Sequence, residues 1–130
     1  MNQKIATSNA PAAIGPYSQA IAAGGFLFTS GQIALIPETG LLDMADIETE
    51  THRVMHNLKA VLEAGKASFN HVVKTTIYLS DMSHYAKVNE VYASYFTEDA
   101  PAREAVQVAG LPKGVNVEIS MIAFLGNSSK

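Results

Sequence analysis

The stretch Asp46–Leu79, DIETETHRVMHNLKAVLEAGKASFNHVVKTTIYL, changes its hydrophobic period once, and that change decides the fold class. Up to Gly65, Ile47, Thr51, Val54, Met55, Leu58, Val61 and Leu62 recur at the three- and four-residue spacing of one helix face. Asp46 suits the N-cap, because its carboxylate can accept the unpaired N–H groups of the first turn. Glu48 and Glu50 follow at the positive end of the helix dipole, and Gly65 suits the helix end. From Val72 to Leu79 the chain becomes β-branched, the signature of a strand. A helix therefore leads into a strand.

Upstream, Lys4-Ile5-Ala6 reads as a short edge strand, followed by a loop, Ala10–Pro16, held by two prolines. Ser18–Ala23 and Phe26–Ser30 flank Gly24-Gly25, a hairpin signal, because a type I′ turn needs positive φ at both central residues. Gln32–Ile36 is expected to continue the sheet until Pro37-Glu38-Thr39-Gly40 turns the chain. Downstream, Asp81 or Ser83 caps a second helix whose buried stripe is Tyr85, Val88, Tyr92 and Tyr95. Pro101 stops it from continuing. Strands Arg103–Ala109 and Val115–Phe124 finish the chain, joined through Leu111-Pro112-Lys113-Gly114. This order predicts an α+β fold, with two helices packed on one face of a mixed sheet, and residues 1–130 forming a single domain.

Strand alternation then sorts the faces. Val73, Thr75, Ile77, Leu79, Val115, Val117, Ile119 and Met121 are expected to meet the helices. Lys74, Thr76, Arg103, Gln107, Asn116, Glu118 and Ser120 are expected on the uncovered face. That face is too polar for a dry core and too sparsely charged for open solvent, which points to a subunit interface enclosing wet pockets. If the last two strands pair, Arg103 and Glu118 line one surface, where a cation and a carboxyl group suit a small anionic substrate needing proton transfer. The same two residues equally suit a structural ion pair.

Composition narrows the classes. The chain is 48% hydrophobic and 16% charged, an apolar excess consistent with surface covered by another subunit. A formal charge of −3 with dispersed lysines and arginines gives no footprint for nucleic acid. Without cysteine there is neither a disulfide scaffold nor thiolate chemistry. No apolar run reaches a membrane span and no signal pattern opens the chain, so a soluble cytoplasmic protein is expected. His52 and His56 are four apart on a helix, as metal ligands can be. They share a polar face with Lys59 and Glu63 and lack the HExxH pattern, so a solvated face is expected and no metal.

Several ordered segments resemble the RidA (YjgF) family over essentially the whole length. These are Asn9–Ala20 (NAPAAIGPYSQA), Thr29–Ile33 (TSGQI), Val73–Leu79 (VKTTIYL) with Asp81, Val88-Asn89 with Tyr92, Pro101-Ala102-Arg103, Leu111-Pro112-Lys113, and Val117-Glu118-Ile119. The resemblance implies a chorismate-mutase-like homotrimer with ligand sites between subunits. It also implies hydrolysis of 2-imino acids and their enamine tautomers to 2-keto acids and ammonia, without a cofactor.

On that resemblance Arg103 binds the substrate carboxylate and Glu118 transfers protons through a water. Tyr17 reaches the pocket from the N-terminal loop, where its residue type equally suits packing. Ser30 and Gly31 bring backbone close to the ligand, although Gly31 alone would also suit a strand bulge. Asn89 borders the site, or holds a structural role on the helix flank. Ala105 stands where many relatives carry cysteine, so only backbone contacts from that position are expected. Glu104 stands where the residue is usually small and is sent to the face opposite Arg103, and Ala100 replaces a bulky aromatic. Two rival functions accompany the deaminase: a non-catalytic regulatory trimer sensing 2-keto acids, and an RNA-cleaving translation inhibitor, which the acidic balance disfavours.

Overall fold

The final strand is the keystone of the sheet in the computed structural model, which describes residues 2–126; both ends of the expected 1–130 domain lie outside them. The strands are β1 (Gln3–Ile5), β2 (Ala20–Ala23), β3 (Phe26–Thr29), β4 (Val72–Leu79), β5 (Ala102–Gln107) and β6 (Val117–Phe124), with helices α1 (Ile47–Ala64) and α2 (Tyr85–Ala93). The sheet order is β1-β2-β3-β6-β4-β5. β3 and β4 both run antiparallel to β6, so β6 is inserted between two strands that α1 connects. β5 returns through α2 to lie parallel to β4. This is the expected α+β architecture of a mixed sheet with two helices.

Local chemistry accounts for the elements. Gly24 and Gly25 take φ of +58° and +85°, the left-handed pair a tight hairpin requires. The Asp46 carboxylate accepts from the Thr49 N–H at 2.7 Å and caps α1, and Gly65 ends it. Val54, Met55, Leu58, Val61 and Leu62 of α1 are fully buried against Leu27, Ile77, Ile119 and Met121 of the sheet. Each such side chain contributes about 1.5–3 kcal/mol by leaving water. Asp81 caps a single 3₁₀ turn, Met82–His84, through the Ser83 N–H, and α2 follows directly.

Three expectations about the sheet fail. Gln32–Ile36 is not a strand: only the bridges Gln32 to Ile119 and Leu35 to Leu42 form. The buried Asn57 amide of α1 donates to the Ile33 and Leu35 carbonyls at 3.1 and 2.9 Å, and β6 takes the neighbouring place in the sheet. Val73 is 45% exposed rather than helix-facing, because a bulge between Val72 and Lys74 puts Val72 in the core instead. Finally, β5 and β6 do not pair, since β4 separates them.

That separation corrects the face assignment. Arg103 is in register with Thr75, which is fully buried towards the helices, whereas Glu118 is in register with Tyr78 on the opposite face. Gln107 also turns to the helix side, where its side-chain oxygen accepts from the Met82 N–H. Asn116 lies just before β6 and bonds the Glu50 carboxylate of α1. Lys74, Thr76 and Ser120 share the uncovered face with Glu118, as expected, and Glu104 joins them there. Lys74 and Glu104 form an ion pair at 3.4 Å.

Candidate active site

Glu118 projects from β6 into a cavity of about 580 Å³ walled by the N-terminal loop, the segment after β3 and the loop before β6. Two buried amides shape the first two walls. The Gln19 side chain donates to the carbonyls of Thr7, Ala10 and Pro11 and accepts from the Thr7 N–H, which coils the N-terminal loop around itself. Asn57 does the same for Ile33 and Leu35. The loop delivers Tyr17, which lines the cavity and is 53% exposed. Its packing role is limited to the rim, where the ring covers Gly15.

Ser30 and Gly31 line the same cavity as Tyr17. The Ser30 hydroxyl donates to the Ser18 carbonyl at 2.5 Å, so its lone pairs remain available to a ligand. Gly31 has an ordinary negative-φ backbone, and its value lies in space. A Cβ there would sit 2.0 Å from Glu118 Oε2. Glycine is therefore the residue that lets the Glu118 carboxyl rest against the chain after β3.

The carboxyl itself is unusual. Among the described residues it has no hydrogen-bond partner and no salt bridge, and burial pushes its pKa above the ordinary 4.5. Desolvation disfavours the charged form when no donor or cation compensates. A half-buried carboxyl group with a raised pKa, in a cleft, has the character of a proton-transfer group.

Arg103 belongs to a different compartment. Its Nη1 donates to Asn89 Oδ1 at 2.6 Å and its Nη2 to the Tyr85 hydroxyl at 2.7 Å. Its Cζ lies 5.3 Å from the Tyr92 ring centroid, and the Tyr92 hydroxyl is tied to Thr75 at 2.9 Å. Tyr85, Asn89 and Tyr92 follow the i, i+4, i+7 spacing of one helix face, which is why one residue of β5 meets all three. From the sequence Tyr85 and Tyr92 read as core and Asn89 as lying on the flank of their stripe. All three are in fact polar at their tips, and an arginine on a neighbouring strand was the available clue.

Ala105 lies two residues further along the same face of β5. Val108 N–H donates to Leu79 O at 2.9 Å, so alternation turns the N–H groups of Arg103, Ala105 and Gln107 towards the open edge of the sheet. Registers place the Arg103 and Glu118 Cα atoms roughly 14 Å apart, from three residues of strand rise and two strand spacings. Within one chain the structure brings Glu118, Tyr17, Ser30 and Gly31 together, and Arg103, Asn89 and Ala105 together. It does not join the two groups.

His52 and His56 lie exposed on α1, and His52 Nδ1 meets the Tyr95 hydroxyl at 2.7 Å. No group of three or more potential ligands for a metal occurs among the described residues. No helix among them is long and apolar enough to cross a membrane.

Fold and site together define a small α+β protein with a carboxyl-bearing cleft on one face of its sheet and a clamped arginine on the other. The chain belongs to the endoribonuclease L-PSP family, the family that includes the RidA and RutC proteins, whose model matches residues 7–125. It is 55% identical to a RutC family protein of Pyrococcus horikoshii, over 95% of this chain and 98% of that one. It is 47% identical to a mouse protein named 2-iminobutanoate/2-iminopropanoate deaminase, over 94% of this chain and 90% of that one. A Thermotoga maritima crystal structure titled as a putative endoribonuclease superposes with a TM-score of 0.95 at 49% identity, covering 98% of this chain and 100% of that one.

Proposed function

We propose that this protein hydrolyses 2-imino acids, and their enamine tautomers such as 2-aminoacrylate, to 2-keto acids and ammonia. The observation that carries the reading is the uncompensated, half-buried carboxyl group of Glu118 against Gly31 in the cavity. Relatives at 47% identity that bear the deaminase name, from mouse and from a plant chloroplast, point the same way.

In this reading the enamine first gains a proton at carbon from the protonated Glu118 carboxyl, giving the iminium form of the imine. Glu118 takes a proton from a water as it adds to the imine carbon, then returns it to nitrogen. The carbon–nitrogen bond breaks, ammonia leaves, and the carbinol hydroxyl gives its proton back to Glu118 as its oxygen becomes the keto group. One carboxyl that cycles its proton serves each step, and such catalysis typically contributes about 10²–10⁴-fold. Tyr17 and Ser30 orient the water or the leaving nitrogen.

The substrate carboxylate needs a cation, and Arg103 of the same chain lies on the opposite face of the sheet from Glu118. The site is therefore assembled between subunits of a homotrimer. Arg103 and the outward Ala105 N–H of one subunit face the Glu118 cavity of the next. Two features favour this: the open edge of β5, and the exposed apolar side chains of Phe26, Phe28, Val106 and Phe124 on the uncovered face.

An assay coupled to a serine or threonine dehydratase tests the reading. The protein is expected to accelerate 2-keto acid appearance, and Glu118→Gln to abolish most of that acceleration while still binding 2-oxobutanoate. Binding without acceleration would favour a regulatory role instead, a reading kept because a relative from Lactococcus lactis at 46% identity is named a putative regulator.

A further inference from the structure

Tyr85 was read from the sequence as a core residue, yet its hydroxyl sits 2.7 Å from a terminal nitrogen of Arg103. We infer that the Tyr85 hydroxyl is a positioning residue that, with Asn89, sets the guanidinium of Arg103 in the plane needed to receive a substrate carboxylate. The inference rests on the deaminase reading of the site.

The geometry supports a two-point clamp. A guanidinium on a long side chain turns about its last bonds unless both terminal nitrogens are held. Here Nη1 is held by the Asn89 amide oxygen and Nη2 by the Tyr85 hydroxyl. The acceptors come from consecutive turns of α2, so a rigid helix sets their spacing. Tyr92 supplies a ring beneath the cation, and its own hydroxyl is committed to Thr75 and cannot replace that of Tyr85. Each clamp uses one hydrogen of a terminal nitrogen. Of the five guanidinium N–H donors, three remain to receive a carboxylate. Both acceptors are neutral, so they orient the cation without discharging it. A carboxylate in either place would compete with the substrate.

Arg103 makes no ion pair among the described residues, which leaves its charge available to a ligand. Tyr85 is only partly buried, so removing its oxygen is not expected to unfold the chain.

A double-mutant cycle on the intact protein tests the inference. Binding of 2-oxobutanoate is measured by calorimetry, and kcat and KM by the dehydratase-coupled assay. Tyr85→Phe keeps the ring and removes only the acceptor. It is expected to weaken 2-oxobutanoate binding and raise KM by about three- to tenfold, with kcat within about twofold of normal. In an Arg103→Lys background there is no fork left to orient, so Tyr85→Phe is expected to add nothing. If Arg103→Lys weakens binding but Tyr85→Phe does not, or if Tyr85→Phe costs as much in the lysine background, the positioning role is wrong. If Arg103→Lys itself binds 2-oxobutanoate normally, the assignment of Arg103 to the site fails first, and the role of Tyr85 with it.

Discussion

Gly31→Ala is expected to separate catalysis from folding. The added Cβ would lie 2.0 Å from Glu118 Oε2, 2.8 Å from Cδ and 3.0 Å from Cγ. Ordinary contact begins near 3.4 Å, so the carboxyl oxygen must retreat by about 1.4 Å, the difference between 3.4 and 2.0. The atoms that must move are the free end of a side chain that has no hydrogen bond to break among the described residues, and residue 31 carries no positive φ to strain. Stability is therefore expected to change by less than about 1 kcal/mol, or a few degrees in Tm. A displacement of about 1 Å at a catalytic group can cost about 10²-fold in rate. The coupled assay is expected to show roughly that loss, with a near-normal thermal melt. Full activity in Gly31→Ala would refute the assignment of proton transfer to Glu118 in this position. A loss of activity matched by a large fall in Tm would refute the steric argument instead.

Glu118 makes a second, thermodynamic prediction. Its folded pKa lies above the ordinary value because burial penalises the charge. The folded state then binds the proton more tightly than the unfolded state, so stability present below about pH 4.5 is lost as the pH rises through the raised pKa. Glu118→Gln removes that loss, and urea unfolding is expected to show the variant gaining on the natural protein as the pH rises from below 4.5 through the raised pKa. Glu50 is fully buried, and its carboxyl group accepts from Asn116 N, Asn116 Nδ2 and Val117 N at 2.7, 2.9 and 3.2 Å. Glu50→Leu leaves those donors unpaired and is expected to cost about 3 kcal/mol or more, read as a lower urea midpoint. Arg103→Lys keeps the charge and loses the fork, so KM in the coupled assay is expected to rise by about tenfold or more. At a formal charge of −3, no RNA binding that falls steeply with salt is expected; a steep slope in a filter-binding titration would revive the nuclease reading.

Much of the fold was legible because its signals are local. The Gly24-Gly25 turn, the Asp46 cap, the α1 stripe and the β-branched run of β4 each follow from chemistry within a few residues. The Gln32–Ile36 segment misled for the same reason. Its apolar residues suit a strand, but strandhood needs a neighbour, and Asn57 and β6 took the groups and the place it would have used. The candidate site was legible as residue types. Glu118, Tyr17, Ser30 and Gly31 do meet, whereas the partnership of Arg103 with Tyr85 lies between a helix and a strand 18 residues apart.

Alternation along one strand is a property of the backbone, so the sequence by itself determined which side chains of β6 share a face with Glu118. The face of one strand relative to another depends on pairing partner and register, which are set by long-range packing. Only the tertiary structure could decide that β4 stands between β5 and β6, and that Arg103 and Glu118 look away from each other.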